Sequence, residues 1–213
     1  MAILHVIYDP YCGWCYGAAP LVEAARAVPG LEIVLHGGVM MAGNNRQQMT
    51  PRLRDFILQH DQRIAALSGQ PFGEGYRELL NDTTVWLDST PPTMAIEAAG
   101  RFGKALDMLH GIQQAHFVEG RRIAESGVLI GVAEELGIAR EEFVLAFAAA
   151  MEAPGGHIRE SRALLQQVGG SGFPTFAREQ DSTLRLLDSS GYLGQPEAWR
   201  QLLDHAMKPA PEA

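Results

Sequence analysis

Cys12-Gly13-Trp14-Cys15 contains the only two cysteines of this 213-residue chain. A short apolar run, residues 3–8, precedes the tetrapeptide, and an alanine-rich stretch typical of a helix, residues 16–28, follows it. A C-x-x-C that joins a strand to a helix predicts a reactive dithiol, because the helix N-terminus carries unpaired amide groups and a positive partial charge. That field favours the thiolate of the first cysteine, and the thiolate is the form that attacks disulfides.

The composition is that of a folded protein with a large core. Hydrophobic residues make up 46% of the chain, charged residues 20%, and the net charge is −8. A negative chain is a poor match for nucleic acid or an anionic membrane surface, so neither is an expected partner. No stretch resembles a membrane-spanning helix or a basic, apolar leader. We therefore expect a cytoplasmic protein, in which a C-x-x-C is reactive or metal-bound rather than a structural disulfide.

The two ends of the chain alternate between strand and helix, whereas the middle is helical. A strand–helix–strand order over residues 3–36 predicts two parallel strands with a right-handed crossover, and Pro20 is expected to bend the helix. Apart from an extended piece at residues 83–87, the middle predicts helices at residues 51–68, 89 to 100 or 103, 104–117, 128–136 and 141–151. The last part predicts a helix, two strands and a final helix at residues 158–168, 173–177, 183–187 and 196–207, followed by a frayed tail.

This order of elements resembles the thioredoxin fold, and particular residues support the resemblance. Cys12-Gly13-Trp14-Cys15 looks like the active-site tetrapeptide of that superfamily, and Pro20 matches the proline that kinks its active-site helix. Gly172-Phe173-Pro174-Thr175-Phe176 resembles the cis-proline segment that faces the dithiol. A large helical insertion after the second strand is similar to the DsbA-like branch, especially its FrnE-type cytosolic disulfide oxidoreductases and isomerases.

The resemblance implies an α/β fold class, a thioredoxin fold with a large all-helical insertion. It also implies a division of the chain into two domains. Residues 1–42 and 155–213 are expected to form a discontinuous thioredoxin-fold domain, and residues 43–154 a helical insertion domain. Without the insertion about a hundred residues are left, which is the size of a lone thioredoxin domain.

The resemblance also implies a function, namely a thiol–disulfide oxidoreductase that reduces, forms or isomerises disulfides. Cys12 would be the attacking nucleophile and Cys15 the resolving thiol, and the substrate would contact Gly13, Trp14, Phe173 and Pro174. No bound metal or organic cofactor is expected. The expected partners are protein or small-molecule disulfides and dithiols, with glutathione or a thioredoxin-type reductant to regenerate the enzyme.

Two positions depart from the pattern of the superfamily. Val6 stands where thioredoxin and DsbA carry a buried acid on the first strand, so proton handling falls to another group or to water. His5 and Asp9 are the nearby candidates in the sequence. Phe173 is bulkier than the Thr, Val or Ile that more often precedes the cis-proline, and we expect it to reshape the groove that receives the substrate.

Four other interpretations of the sequence stay open, and the first is a pair of inert buried thiols. Half of a zinc site is disfavoured, because zinc usually takes four ligands and no second C-x-x-C exists. A glutathione-dependent isomerase or transferase, of the kappa-class or hydroxychromene-carboxylate isomerase type, shares the insertion but commonly has Ser at the first cysteine position. A non-catalytic chaperone or adaptor would not require either cysteine.

Overall fold

The protein, described by a computed structural model over residues 2–206, contains six strands and ten α-helices in that range. The strands are β1 (Ala2–Tyr8), β2 (Leu31–Gly37), β3 (Gln47–Gln48), β4 (Trp86–Leu87), β5 (Thr175–Gln180) and β6 (Thr183–Leu187). The helices are α1 (Gly13–Gly17), α2 (Ala19–Arg26), α3 (Pro51–Ser68), α4 (Glu74–Asn81), α5 (Thr90–Gly100), α6 (Ala105–Phe117), α7 (Ser126–Glu135), α8 (Arg140–Glu152), α9 (Pro154–Gln167) and α10 (Pro196–Ala206). The predicted end of the last helix at residue 207 and the predicted frayed tail lie outside the described residues.

Four of the strands form a mixed sheet with the order β2-β1-β5-β6. β1 pairs in parallel with β2 and antiparallel with β5, which confirms the predicted crossover between the first two strands. β5 and β6 form an antiparallel hairpin that turns at Asp181 and Ser182, both in the left-handed region at φ 48° and 60°. Helices α2 and α10 pack together on an apolar cluster that includes the central strand residue Val6 and the fully buried Trp199.

The helix after the dithiol is broken in two. The sequence predicts one helix over residues 16–28 with a bend at Pro20, but α1 starts at Gly13 and ends at Gly17, and α2 begins at Ala19. Pro20 lies in the first turn of α2. A proline inside a continuous helix would clash with the carbonyl four residues earlier and would remove one hydrogen bond, so the chain interrupts the helix just before it.

The segment between β2 and α9 is helical, with α5 packed against α6, α7 and α8. It also contains a short antiparallel ribbon in which Gln48 of β3 pairs with Trp86 of β4, within the extended piece that the sequence predicts. Helix α4 is absent from the predicted elements, because its eight residues contain a glycine and follow Pro71 and Gly73. None of the helices within residues 2–206 combines the length and the apolar character needed to cross a membrane.

Two backbones approach closely where α4 meets the end of α6. The Gly73 N–H donates to the carbonyl of Phe117 at 2.9 Å. A methyl group built on Gly75 would lie 2.5 Å from the carbonyl oxygen of Glu119, closer than real contacts allow. Because the obstacle is backbone rather than the end of a flexible side chain, this contact requires glycine.

We expect Gly75→Ala to destabilise the protein by about 1–3 kcal/mol through overpacking, although alanine is the better helix former. Gly127→Ala is the matched control, because Gly127 is also the second residue of a helix and a methyl group there meets nothing within 4 Å. The control should be neutral or stabilising by up to about 1 kcal/mol. Urea unfolding measures both, and equal effects of the two substitutions would contradict the assigned backbone contact.

Candidate active site

Cys12 lies at the N-terminus of α1, between that helix and the proline-containing segment before β5. Its sulfur accepts a hydrogen bond from the Cys15 N–H at 3.4 Å, and its thiol donates to the Phe173 carbonyl at 3.3 Å. The residue is 8% exposed, and both cysteines are free thiols, so the structure shows the reduced dithiol. The strand-to-helix geometry expected for the C-x-x-C is present.

Cys15 lies one turn further into the molecule. Burial and the neighbouring Cys12 raise the pKa of the Cys15 thiol well above its usual range. A thiol in these surroundings stays protonated at neutral pH and is a poor nucleophile until its environment changes. The two cysteines therefore differ in chemistry in the reduced protein.

The Phe173–Pro174 peptide bond is cis, as the sequence resemblance led us to expect. The Phe173 ring packs against the end of the second strand, since a methyl group on Gly38 would lie 2.2 Å from its Cζ atom. This packing leaves the Phe173 carbonyl next to the Cys12 sulfur. The residues expected to contact substrate, Gly13, Trp14, Phe173 and Pro174, are thus brought close to the dithiol, although Phe173 and Gly13 are 160 positions apart in the sequence.

Two cavities meet at Trp14. The larger one, about 700 Å³, is here called the insert cavity because α3, α4 and α6 form much of its wall. Its lining includes Tyr11, Cys12, Met40, Ile57, Asp61, Ile64, Tyr76 and His116. The second cavity, about 640 Å³, is here called the proline cavity and is lined by Phe173, Pro174 and the chain around Asp188. Trp14 contributes to both linings, and the Arg63 guanidinium lies 5.7 Å from the centre of its ring.

Helices α1 and α3 are in direct contact, and two glycines make the contact possible. A methyl group on Gly13 would lie 2.9 Å from Cδ1 of Ile64, and one on Gly17 would lie 2.7 Å from Cγ2 of the same side chain. The Tyr16 hydroxyl also donates to the Pro71 carbonyl at 2.7 Å, just beyond α3. The dithiol helix is therefore held against the inserted segment as well as against the sheet.

Asp61 is a buried carboxyl group in the wall of the insert cavity, and the sequence analysis did not identify it. The residue is 6% exposed, and burial raises its pKa to about 6, although the hydrogen bond from Tyr76 opposes this shift. The Tyr76 hydroxyl donates to Oδ2 at 3.0 Å. A methyl group on Gly13 would lie 3.1 Å from Oδ1. Ile57, Asp61 and Ile64 are spaced so that they lie on one face of α3. An acidic residue within this otherwise apolar face is the sequence signal that could have identified Asp61.

His116 is a second polar group in the insert cavity. It is 3% exposed, and burial lowers its pKa to about 4, so the ring is neutral at pH 7. Tyr11 and Tyr76 contact the ring edge-on, at centroid distances of 4.8 and 5.2 Å. Among the described residues its Nδ1 atom has no hydrogen-bond partner.

The two candidates for proton handling named from the sequence have other contacts. His5 contacts His36 at 2.9 Å and Glu179 at 3.0 Å. Asp9 is fully buried, which raises its pKa, and its oxygens accept hydrogen bonds from the backbone N–H groups of Tyr11 and Met40 and from the Ser89 hydroxyl. These bonds indicate that Asp9 holds the loops together.

Within residues 2–206, no group of three or more His, Cys, Asp or Glu side chains is arranged to hold a metal ion. The chemistry that the described site offers is that of the two sulfurs, the backbone groups around Cys12, and the carboxyl and imidazole groups of the insert cavity.

Comparison with known proteins agrees with this architecture. The family model of the DSBA-like thioredoxin domain matches residues 3–190. The chain is similar to the cytosolic disulfide reductase DsbM from Pseudomonas aeruginosa, with 49% identity, a TM-score of 0.91, and 96% of this chain and 98% of that chain covered. That protein has also been solved with GSH, and this second structure matches at 48% identity and a TM-score of 0.89, with 96% and 98% of the two chains covered.

More distant structures share the fold. A putative protein disulfide isomerase from Nitrosomonas europaea matches with 27% identity and a TM-score of 0.76, and 96% of each chain is covered. A 2-hydroxychromene-2-carboxylate isomerase matches with 18% identity and a TM-score of 0.60, over 97% of this chain and all of that chain, and this likeness concerns the fold alone. A search of curated proteins gives no match.

The chain therefore belongs to the DSBA-like thioredoxin family. It is an enzyme of the thiol–disulfide oxidoreductase class. The resemblance, the fold class and the enzyme class expected from the sequence are confirmed.

We expect iodoacetamide to label the reduced protein at Cys12 before Cys15, because Cys12 lines a cavity and burial keeps Cys15 protonated. Because the thiolate is the reactive form, Cys12 should be labelled at least severalfold faster than Cys15 at pH 7. Mass analysis after brief labelling measures the ratio. Equal labelling of the two residues would contradict the assigned difference between them.

Proposed function

We propose that this chain is a cytoplasmic disulfide reductase that uses Cys12 as nucleophile and Cys15 as resolving thiol. The observation that carries the proposal is the position of the Cys12 sulfur, which lies between the Cys15 N–H and the Phe173 carbonyl in the wall of the insert cavity. The similarity to DsbM, a cytosolic disulfide reductase at 49% identity, supports both the direction of the reaction and the compartment.

In the first step the Cys12 thiolate attacks one sulfur of a substrate disulfide. A bond forms between the Cys12 sulfur and that sulfur, the substrate S–S bond breaks, and the other substrate sulfur leaves with the electron pair. The Cys15 N–H remains as a donor to the Cys12 sulfur in the thiolate form. The Phe173 carbonyl, which accepts from the thiol in the resting state, loses that bond when the proton leaves.

In the second step Cys15 loses its proton and attacks the Cys12 sulfur of the mixed disulfide. The Cys12–Cys15 bond forms and the second substrate thiolate leaves, so the substrate is reduced by two electrons and the enzyme is oxidised by two. Two molecules of an external thiol return the enzyme to the dithiol. We propose glutathione for this role, because DsbM has been solved with GSH.

We assign substrate contacts to Gly13, Trp14, Phe173 and Pro174. The Phe173 carbonyl contacts the Cys12 sulfur, Gly13 lines the insert cavity, Pro174 lines the proline cavity, and Trp14 lines both. We also propose that residues 1–42 and 155–213 form the redox domain and residues 43–154 the insertion domain. The four-stranded sheet is built from the first and last parts of the chain, and helices α3 to α8 come from the middle.

We expect Cys12→Ser to reduce turnover of a peptide disulfide to the background rate, because serine cannot form the mixed disulfide. Cys15→Ser makes the same chemical change one turn away and is the matched comparison. It should still form the mixed disulfide, which then accumulates because no resolving thiol is present.

Mass analysis of quenched reactions distinguishes the outcomes. An adduct in Cys15→Ser and none in Cys12→Ser supports the assigned roles, and unchanged turnover in Cys12→Ser would refute them. Tight glutathione binding with isomerase or transferase activity that survives loss of Cys15 would favour the glutathione-dependent enzymes instead. A binding activity that is indifferent to both substitutions would favour a chaperone or adaptor.

A further inference from the structure

The insert cavity holds a carboxyl oxygen that lies beside the dithiol helix and accepts no hydrogen bond from the described residues. Oδ2 of Asp61 accepts the Tyr76 hydroxyl at 3.0 Å, whereas no group among residues 2–206 donates to Oδ1. A methyl group on Gly13, the residue after the nucleophile, would lie 3.1 Å from Oδ1. Because Cys12 and Asp61 line the same cavity, a thiol bound in it has both residues in its surroundings.

Of the other ionisable groups around the dithiol, two are engaged in contacts within the fold and two have pKa values shifted away from neutrality. Asp9 accepts three hydrogen bonds and is 0% exposed. His5 lies against His36 and Glu179. Burial raises the pKa of Tyr76 far above its usual range and lowers that of His116 to about 4.

The remaining ionisable groups that face Asp61 are few. The His60 ring, at the rim, donates a hydrogen bond to the Phe56 carbonyl of its own helix at 2.9 Å. The ionisable groups in the cavity wall come from the dithiol loop, the chain before β3, and helices α3, α4 and α6: Tyr11, Cys12, Arg46, His60, Tyr76 and His116.

We propose that Asp61 is the general base that deprotonates the external thiol, the reductant of the proposed cycle, as this thiol attacks the oxidised enzyme. The inference rests on the proposed thiol–disulfide function and adds a residue to it. The thiol proton moves to Oδ1 of Asp61 while the sulfur attacks Cys12. A bond forms between the two sulfurs, the Cys12–Cys15 bond breaks, and its electron pair stays on Cys15, which takes up a proton. Asp61 then loses its proton to solvent through the cavity.

The environment of Asp61 suits this role. A carboxyl group with a pKa near 6 is mostly ionised at pH 7, and it is a stronger base than an ordinary carboxylate. Free thiols titrate near pH 8.5, so at pH 7 only a few per cent of a typical thiol is ionised without help. Val6 leaves the first strand without an acid, and Asp61 provides a carboxyl group from helix α3.

The test is the single-turnover reaction of the oxidised protein with 2-mercaptoethanol, followed by tryptophan fluorescence from about pH 5.5 to about pH 10. In Asp61→Asn we expect the rate constant to fall about 10- to 100-fold near pH 7, at or below the lower end of measured general-base effects. The loss should shrink to less than about twofold near pH 10, where much of the thiol is already ionised. Because 2-mercaptoethanol is uncharged, attraction to the charged residues of the cavity does not affect the comparison.

Two further variants make the result specific. Asp55→Asn removes the same charge from the same helix at a side chain that is 66% exposed, and its rate should match that of the unmodified protein at every pH. Tyr76→Phe removes the hydrogen bond that lowers the pKa of Asp61. The Asp61 pKa should then rise, so that Asp61 becomes protonated at a higher pH than in the unmodified protein. The acidic limb of the pH–rate profile should therefore move to higher pH.

An equal loss at all pH values in Asp61→Asn would assign a structural role and overturn the proposal, as would no loss at any pH. If Asp61→Asn does not fold, an unmoved acidic limb in Tyr76→Phe overturns it as well. If the unmodified oxidised protein does not react with the thiol at all, the proposed oxidoreductase function itself fails. A reactive protein with pH-independent mutant effects contradicts only the role of Asp61.

Discussion

The close packing of α1 on α3 is the constraint on which the site depends. Gly13 and Gly17 are four residues apart and therefore lie on one face of α1, and neither has a side chain to separate the two helices. Ile64 fills the space that two side chains would occupy. Because of this approach, the residue between Cys12 and Trp14 is in contact with α3, and Trp14 lies at the boundary between the two cavities. The dithiol helix thereby packs against the inserted helices as well as against the sheet.

The buried carboxylate of Asp9 holds Tyr11 and Met40, which line the insert cavity, in place. Asp9 loses its hydration on burial, and the cost is offset by hydrogen bonds from the Tyr11 and Met40 backbones and from Ser89. The loop so held includes Val39 in the left-handed region at φ 51°, an unfavourable conformation for a β-branched residue. Arg162 of α9 donates to the Val39 carbonyl at 2.6 Å, so this loop is anchored from two sides. Asp9, one of the two candidates for proton handling in the sequence, is one of these anchors.

The sequence predicts those parts of the fold and site that depend on local signals. Three features can each be recognised from a few consecutive residues: the apolar run of β1, the C-x-x-C and the segment around Pro174. Together they identify the fold and the dithiol. The break before Pro20 depends on a clash within one helix and was foreseen only as a bend. Asp61 and His116 were missed because their role depends on how α3 and α6 enclose a cavity, and one sequence does not give that packing. Helix α4 was missed because its contact with α6 outweighs the weak helix propensity of its first turn.

The chemistry of the insert cavity follows from one property, the burial of the polar side chains in its wall. The same burial that brings the pKa of Asp61 up to about 6 brings that of His116 down to about 4. In water an imidazole would be the better proton acceptor of the two near neutrality, and the carboxylate would be too weak a base. In the cavity the order of the two pKa values is reversed, because desolvation disfavours the charged form of each group. Burial of the cavity wall therefore makes a carboxyl group from the inserted helices the stronger base beside a dithiol whose first strand carries a valine.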